Sequence, residues 1–268
     1  MPKRFLIALL TVLAPAVASA QRSDADWLDD CRHNHWNNDR DSYCEVRTAT
    51  LSLGVRPLIV DAGSNGGISI HAWDKSSVEV HERIQAEAYS SGDAQNIAKQ
   101  VRVVIEDGRI SSEGPSTYRN NSWSVTYDIY VPKSVELQLN AINGPIGITG
   151  TSGQVEARTV NGPLSLSGLS GQVHARTSNG PLRVTLVGKR WEGGELNAET
   201  TNGPVDLSIP DGYSARLVTG TVNGPMRSDF PITLQGNISA RRIETDIGGG
   251  GPTVRAITTN GPLVLRRM

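Results

Sequence analysis

Residues 155–184 read VEARTVNGPLSLSGLSGQVHARTSNGPLRV, two copies of one pattern hinged on Asn161-Gly162-Pro163 and Asn179-Gly180-Pro181. Around each Asn-Gly-Pro, apolar residues alternate with polar ones: Val155 and Ala157 precede the first, and Leu164 and Leu166 follow it. A period of two is that of a β-strand with one buried face. The same tripeptide begins at Asn143, Asn202, Asn223 and Asn260, so successive copies lie 18, 18, 23, 21 and 37 residues apart.

Working outward, four columns hold the pattern. Six residues before each Asn stand Leu137, Val155, Val173, Leu196, Leu217 and Val254. Four before stand Leu139, Ala157, Ala175, Ala198, Thr219 and Ala256. Three after stand Ile146, Leu164, Leu182, Val205, Met226 and Leu263. Five after stand Ile148, Leu166, Val184, Leu207 and Leu265, with Ser228 breaking the column. The long last gap hides one more expected unit: residues 238–247, ISARRIETDI, align with 173–182, and Glu244-Thr245-Asp246 replaces Asn-Gly-Pro. The gap of 23 holds an insertion from Lys189 to Gly194, expected to bulge out as a loop.

Each unit is thus a strand, a tight corner, a second strand and a Gly/Ser return. One pair of short strands cannot bury its face alone, whereas parallel stacking closes a core with rungs about 4.8 Å apart. Seven such rungs would span roughly 34 Å. Asn and Gly are expected to supply a left-handed corner, and Pro to fix its exit. Stacked Asn side chains would hydrogen-bond from rung to rung. In register, Arg176 would sit beside Glu199, and Glu156 beside His174, which is mildly favourable between neighbouring strands. Arg158 over Arg176 is a like-charge pair that stacking does not explain.

Residues 58–70, LIVDAGSNGGISI, carry the same alternation around Asn65-Gly66-Gly67 and are expected to form the first rung. Strands are expected at 78–88, 101–106, 110–113 and 123–131, and a short helix at 91–100 with a Ser/Asp start. The fold class is therefore all-β: a parallel, β-helix-like solenoid with an N-terminal β-rich cap containing one short helix. The chain divides into a signal peptide (1–20), an N-terminal segment (21–50), the cap (51–136) and the repeat (137–268).

The signal reading rests on Lys3 and Arg4, the apolar run from Phe5 to Leu13, and the small-x-small site Ala18-Ser19-Ala20. No later apolar run is long enough for a membrane helix. The mature chain is expected to be exported, periplasmic or extracellular. Losing the signal removes two of 26 basic residues and none of 27 acidic ones, leaving 24 − 27 = −3. That is not the charge of a nucleic-acid binder. Aromatics make up only 5% of the chain and Gly numbers 28, a composition for thin layered β structure.

Cys31 and Cys44 are the only cysteines. In an oxidising compartment a disulfide is expected, stabilising by roughly 3 kcal/mol through loop entropy. The competing reading is a metal site, because the same loop holds His33, His35, Asp39 and Asp41.

The repeat, with Cys44-Glu45-Val46-Arg47, with residues 61–68 (DAGSNGGI) and with residues 210–215 (PDGYSA), resembles a bacterial family of domains of unknown function classed as candidate adhesins. The likeness runs from about Cys31 to the C-terminus. It implies a β-solenoid and an envelope location, and it brings no catalytic residues.

No Gly-x-Ser-x-Gly elbow, HExxH pair or phosphate loop occurs, and Gly248 to Gly251 lacks the required Lys. A polysaccharide lyase or hydrolase on this scaffold is the enzymatic alternative. It would need converging carboxylates, for which Glu199 and Asp206 are the arguable pair. Trp faces stack on sugar rings, so Trp191 on the insertion is the candidate ligand contact, ahead of Trp73 and Trp123. The reading is a non-enzymatic exported solenoid with a structural or adhesin-like binding role at the cell envelope. Its partner would be an envelope or extracellular polysaccharide or a protein. No catalytic residue, cofactor or metal is expected.

Overall fold

The computed structural model describes residues 23–33, 40–52, 54, 57–117, 121–230, 237–239 and 241–268. The expected signal segment lies outside the described residues. Helix α1 (Asp24–His33) precedes strands β1 (Asp41–Ser52), β2 (Leu58–Asp61), β3 (Ile68–Trp73) and β4 (Ser77–Ala88). Helix α2 (Ser91–Gln100) is followed by β5 (Arg102–Glu106), β6 (Arg109–Glu113) and β7 (Ser122–Pro132). The repeat supplies β8 (Leu137–Ala141), β9 (Ile146–Thr149), β10 (Ser152–Thr159) and β11 (Leu164–Ser167). It continues with β12 (Ser170–Asn179), β13 (Leu182–Thr185), β14 (Leu196–Asn202) and β15 (Val205–Ile209). The last strands are β16 (Ala215–Asn223), β17 (Met226–Ser228), β18 (Asn237–Ser239), β19 (Arg242–Ile247), β20 (Thr253–Asn260) and β21 (Leu263–Arg267).

Each rung gives its first strand to one sheet and its second to the other, so two sheets face each other across the core. The first-strand sheet runs β18-β19-β16-β20-β14-β12-β10-β8-β2-β6-β5, and the second-strand sheet β1-β4-β7-β3-β9-β11-β13-β15-β21-β17. The rungs stack in parallel and in register: Val155 lies beside Val173 and Leu137, and Leu164 beside Leu182 and Ile146. The apolar columns close the core. Val155, Val173, Leu164, Leu182 and Val205 are fully buried. Each contributes roughly 1.5–3 kcal/mol by leaving water.

The corner is built differently from expectation. Among Gly66, Gly144, Gly162, Gly180, Gly203, Gly224 and Gly261, only Gly261 has positive φ, and no corner Asn does. Glycine stands there because the rungs touch. A Cβ on Gly162 would lie 2.0 Å from the Gly144 carbonyl oxygen, and one on Gly180 2.2 Å from that of Gly162. Pro opens the second strand, where its missing N–H is not needed. Its carbonyl is used: Leu164 N–H donates to Pro181 O at 2.9 Å, and Leu182 N–H to Pro204 O at 2.9 Å.

Two side-chain ladders bind the corners together. Asn143 donates its amide to Asn65 (3.2 Å), Asn161 to Asn143 (2.8 Å), and Asn179 to Asn161 (2.8 Å). Asn202 then donates to Asn179 (2.8 Å), Asn260 to Asn202 (2.7 Å), and Asn223 to Asn260 (2.8 Å). Two residues before the Asn runs a buried threonine column that the sequence reading passed over. Thr159, Thr177, Thr200, Thr258 and Thr221 donate to the carbonyls of Gly144, Gly162, Gly180, Gly203 and Gly261 at 2.8–2.9 Å. Its sequence signal was a Thr at a fixed offset from every Asn-Gly-Pro except the first, where Ala141 stands.

The ladder also shows that rung order departs from chain order at both ends. β2–β3 lies between β6–β7 and β8–β9, although β6–β7 comes later in the chain. The last unit, β20–β21, lies between β14–β15 and β16–β17. Residues 238–247 do not form the hidden parallel rung expected of them. There β19 pairs antiparallel with β16, and β18 antiparallel with β19. Lacking Asn-Gly-Pro, this segment has no corner to stack, and it covers the edge of β16 instead.

At the other end β4 and β5 run antiparallel to β7 and β6, and β1 antiparallel to β4. Antiparallel strands thus cover both sheets at this end and the first-strand sheet at the other, where an open rung would recruit other chains, while β17 is the last described strand of the second-strand sheet. Helix α2 begins at the N-cap Ser90, whose hydroxyl accepts from the Asp93 N–H, and buries Ala94, Ile97 and Ala98. β1 crosses the boundary expected at residue 50, and α1, which the sequence reading did not expect, is joined to it by the Cys31–Cys44 disulfide.

Gly162→Ala is expected to cost on the order of 1–3 kcal/mol or to prevent folding, because the added methyl overlaps backbone. Gly147→Ala, with nothing within 4 Å of its Cβ, is expected to be neutral or mildly stabilising. Urea unfolding of the pair checks this, and equal midpoints would refute the stacking account. Deleting residues 253–268 removes an inner rung, so it should abolish cooperative unfolding rather than fray one end, as a calorimetric scan would register.

Candidate functional site

The outer positions of the first-strand sheet form two columns. One runs Asn140, Arg158, Arg176, Glu199, Ile257 and Gly220, and the other Gln138, Glu156, His174, Asn197, Arg255 and Val218. Over β10, β12 and β14 they outline an open groove of about 490 Å³, lined by Glu156, Arg158, His174, Arg176, Asn197 and Glu199. On the corresponding rungs the outer face of the second-strand sheet carries Ser165, Ser167, Arg183, Thr185, Asp206 and Ser208, with Asp206 paired to Arg266. Both faces therefore carry charge, but the groove lies on the first-strand sheet.

The register places Arg176 beside Glu199 and Glu156 beside His174, as expected, but the ion pairs form elsewhere. Glu199 is held by Arg255 at 3.2 Å, and Arg176 makes no ion pair among the described residues. Glu156 pairs with Arg158 along its own strand. The His174 ring sits 3.0 Å from the Gln172 amide nitrogen. On the groove wall, Asn197 Oδ1 is buried and has no hydrogen-bond partner among the described residues.

Trp191 is corrected from surface to core. It is 3% exposed, packs in the main apolar cluster, and donates its indole N–H to Gly171 O at 3.0 Å. The rest of the insertion is an exposed loop as expected, joined to Ser214 by a parallel β-bridge at Arg190, and only Trp191 turns inward. Trp73 and Trp123, both half-buried, donate to the Ser77 and Pro115 carbonyls. Glu199 and Asp206 fall on different sheets, and Asp206 is gripped by Arg266 at 2.9 Å, so the two carboxylates do not converge. Of the alternative metal loop, His35 and Asp39 lie outside the described residues. His33 contacts Asp29, and Cys31 is joined to Cys44.

A second charged cluster lies on the outer face of β3, β4 and β7. Asp24 on α1 accepts from His81 Nδ1 (2.5 Å) and Arg83 Nε (2.9 Å), and Arg83 also reaches Asp128 (2.9 Å). His71 Nε2 lies 2.8 Å from Asp128, and the Tyr130 ring packs against both histidines. Burial opposes charge on His81, but its hydrogen bonds to Asp24 and Glu79 outweigh that and raise its pKa. Burial also opposes charge on Asp24, but the bonds from His81 and Arg83 outweigh it and lower its pKa. With the disulfide, this cluster clasps α1 to the sheet. Its charged groups pair with one another, so it reads as structural.

A mainly apolar cavity of about 270 Å³ lies at the far end of the core against Leu217, Phe230, Ile243 and Leu265, with Ser228, Thr245 and Asp246 also on its wall. No described helix is long and apolar enough to cross a membrane.

This architecture defines a mostly β protein of stacked parallel strand pairs, solenoid-like, with a polar groove on one face. Residues 56–266 match the Toastrack DUF4097 family, and the chain belongs to it. The fold is similar to that of a candidate cell adhesion protein from Clostridium sporogenes, at 9% identity and a TM-score of 0.42, over 85% of this chain and all of that one. It is also similar to a candidate adhesin from Bacteroides fragilis, at 13% identity and a TM-score of 0.30, over 84% of this chain and 97% of that one. No curated protein matches the sequence.

The clasp sets a pH dependence. The raised His81 contributes stability fully below its ordinary value of 6.5 and loses it as pH rises through the raised value. The lowered Asp24 contributes above its ordinary value of 3.8 and loses it as pH falls through the lowered value. The melting difference between wild type and Asp24→Asn should therefore be widest between 3.8 and 6.5. It should narrow above that window without vanishing, because Arg83 Nε also donates to Asp24. A difference that ignores pH would show that the clasp does not hold α1.

Proposed function

We propose that this chain is a non-enzymatic, exported binding module of the cell envelope, adhesin-like in role. The observation that carries the reading is the groove on the first-strand sheet. There a rigid, in-register array presents Arg176 to solvent, without an ion pair among the described residues, while Glu156 and Glu199 are tied to other arginines. A repeating surface of this kind suits a repeating polymer. The signal reading and the disulfide support export. Membership of the Toastrack family and the adhesin-type descriptions of its structural neighbours fit the same role. The lyase or hydrolase alternative draws no support from Glu199 and Asp206, which lie on opposite faces.

The test is an array of envelope and extracellular polysaccharides probed with the mature chain, with polymer length followed over time. Specific binding without shortening of the polymer is the expected result. Shortening would replace this reading with the enzymatic one, and failure to bind any glycan would redirect it to a protein partner or a purely structural role.

A further inference from the structure

We propose that the groove over β10, β12 and β14 takes an acidic polysaccharide, a chain bearing uronate carboxylates, laid along the stack. This deepens the binding reading above and rests on it. Two observations point to the ligand independently. The first is the arginine pair. Parallel stacking puts Arg158 directly beside Arg176, an arrangement that is unfavourable on neighbouring strands. Internal pairing does not relieve it: Glu156 serves Arg158, Glu199 serves Arg255, and Arg176 is left facing solvent. An external carboxylate supplies the missing charge, and guanidinium groups bind carboxylates through paired hydrogen bonds.

The second observation is Asn197 Oδ1, a buried acceptor with no donor. A buried acceptor left unpaired costs free energy that a ligand hydroxyl recovers. Chloride, sulfate and simple carboxylates carry no such donor, whereas a sugar ring bearing both a carboxylate and hydroxyls meets both demands at once. The geometry agrees with a polymer. Neighbouring rungs repeat at about 4.8 Å, comparable with the advance of one pyranose along an extended chain. Successive residues would thus meet successive rungs, one carboxylate near Arg158, the next near Arg176, and a hydroxyl donating to Asn197.

The experiment uses the full mature chain and measures affinity by calorimetry for polygalacturonate, its methyl ester, dextran and polyglutamate. Polygalacturonate should bind, and the two neutral polymers should not. Arg158→Gln/Arg176→Gln should weaken polygalacturonate binding by at least about tenfold, the loss of one charge-assisted hydrogen bond. Asn197→Ala should weaken polygalacturonate several-fold while leaving polyglutamate unchanged, and Ser165→Ala on the opposite sheet should change neither. Both arginines are exposed, so unchanged melting temperatures in the double variant separate lost binding from lost folding.

If wild type does not bind polygalacturonate, or binds it regardless of the arginines, the inference fails. Equal binding of polyglutamate, indifferent to Asn197, would mark a general acidic-polymer patch and would also overturn it. If the chain binds a neutral glycan on the array instead, the binding reading survives and only this inference falls.

Discussion

The contact of corner on corner governs the rest of this structure. At each Asn-Gly-Pro the backbones of successive rungs approach so closely that a single methyl group would meet a carbonyl oxygen. That approach brings the Asn amides within reach of one another and lets a buried Thr hydroxyl cap the neighbouring Gly carbonyl. The three columns are mutually dependent. A one-residue slip in any rung would turn its apolar side chains outward and break both ladders together. Register is therefore fixed at the corner, and the alignment of the outer columns follows from it.

The stack is nonetheless not a simple winding of the chain. At each end the chain passes over a position, builds the rung beyond it, and fills the gap with a unit from elsewhere in the sequence. The inner rungs at both ends are thereby enclosed by segments distant in sequence, and antiparallel strands close over them. This raises the sequence separation of native contacts, which slows folding. It also places antiparallel strands at three of the four described sheet edges, the exception being β17.

The groove is a by-product of that order. Its walls are outward-facing residues whose spacing is dictated by the rungs, so a rigid scaffold sets where each charge stands. Loops and helices play no part in forming it. By contrast, the clasp around Asp24, His81 and Arg83 is local and self-satisfied, and it serves to hold α1 where the disulfide also holds it. The two clusters are comparably rich in charge. What separates them is that the clasp's charges pair with one another, whereas the groove leaves Arg176 exposed and without an ion pair among the described residues.

The sequence by itself determined the strand–corner–strand unit, its core columns, the parallel register and the Asn ladder, because period-two alternation and a repeated tripeptide are local patterns. It also placed α2 and the long strands near it. It did not determine which unit stacks on which, since every unit offers the same edge and identical columns cannot encode an order. Nor did it show why the corner needs glycine, because a close approach between residues about 18 apart in sequence has no local signature. Trp191 read as exposed because it lies in an insertion, and only packing turned it inward. The ion pairs followed suit: register placed Arg176 beside Glu199, but the side chain of Arg255 reached Glu199 in the folded structure. Pairing is settled by rotamers and distance in three dimensions, and that is what left Arg176 and Asn197 unengaged.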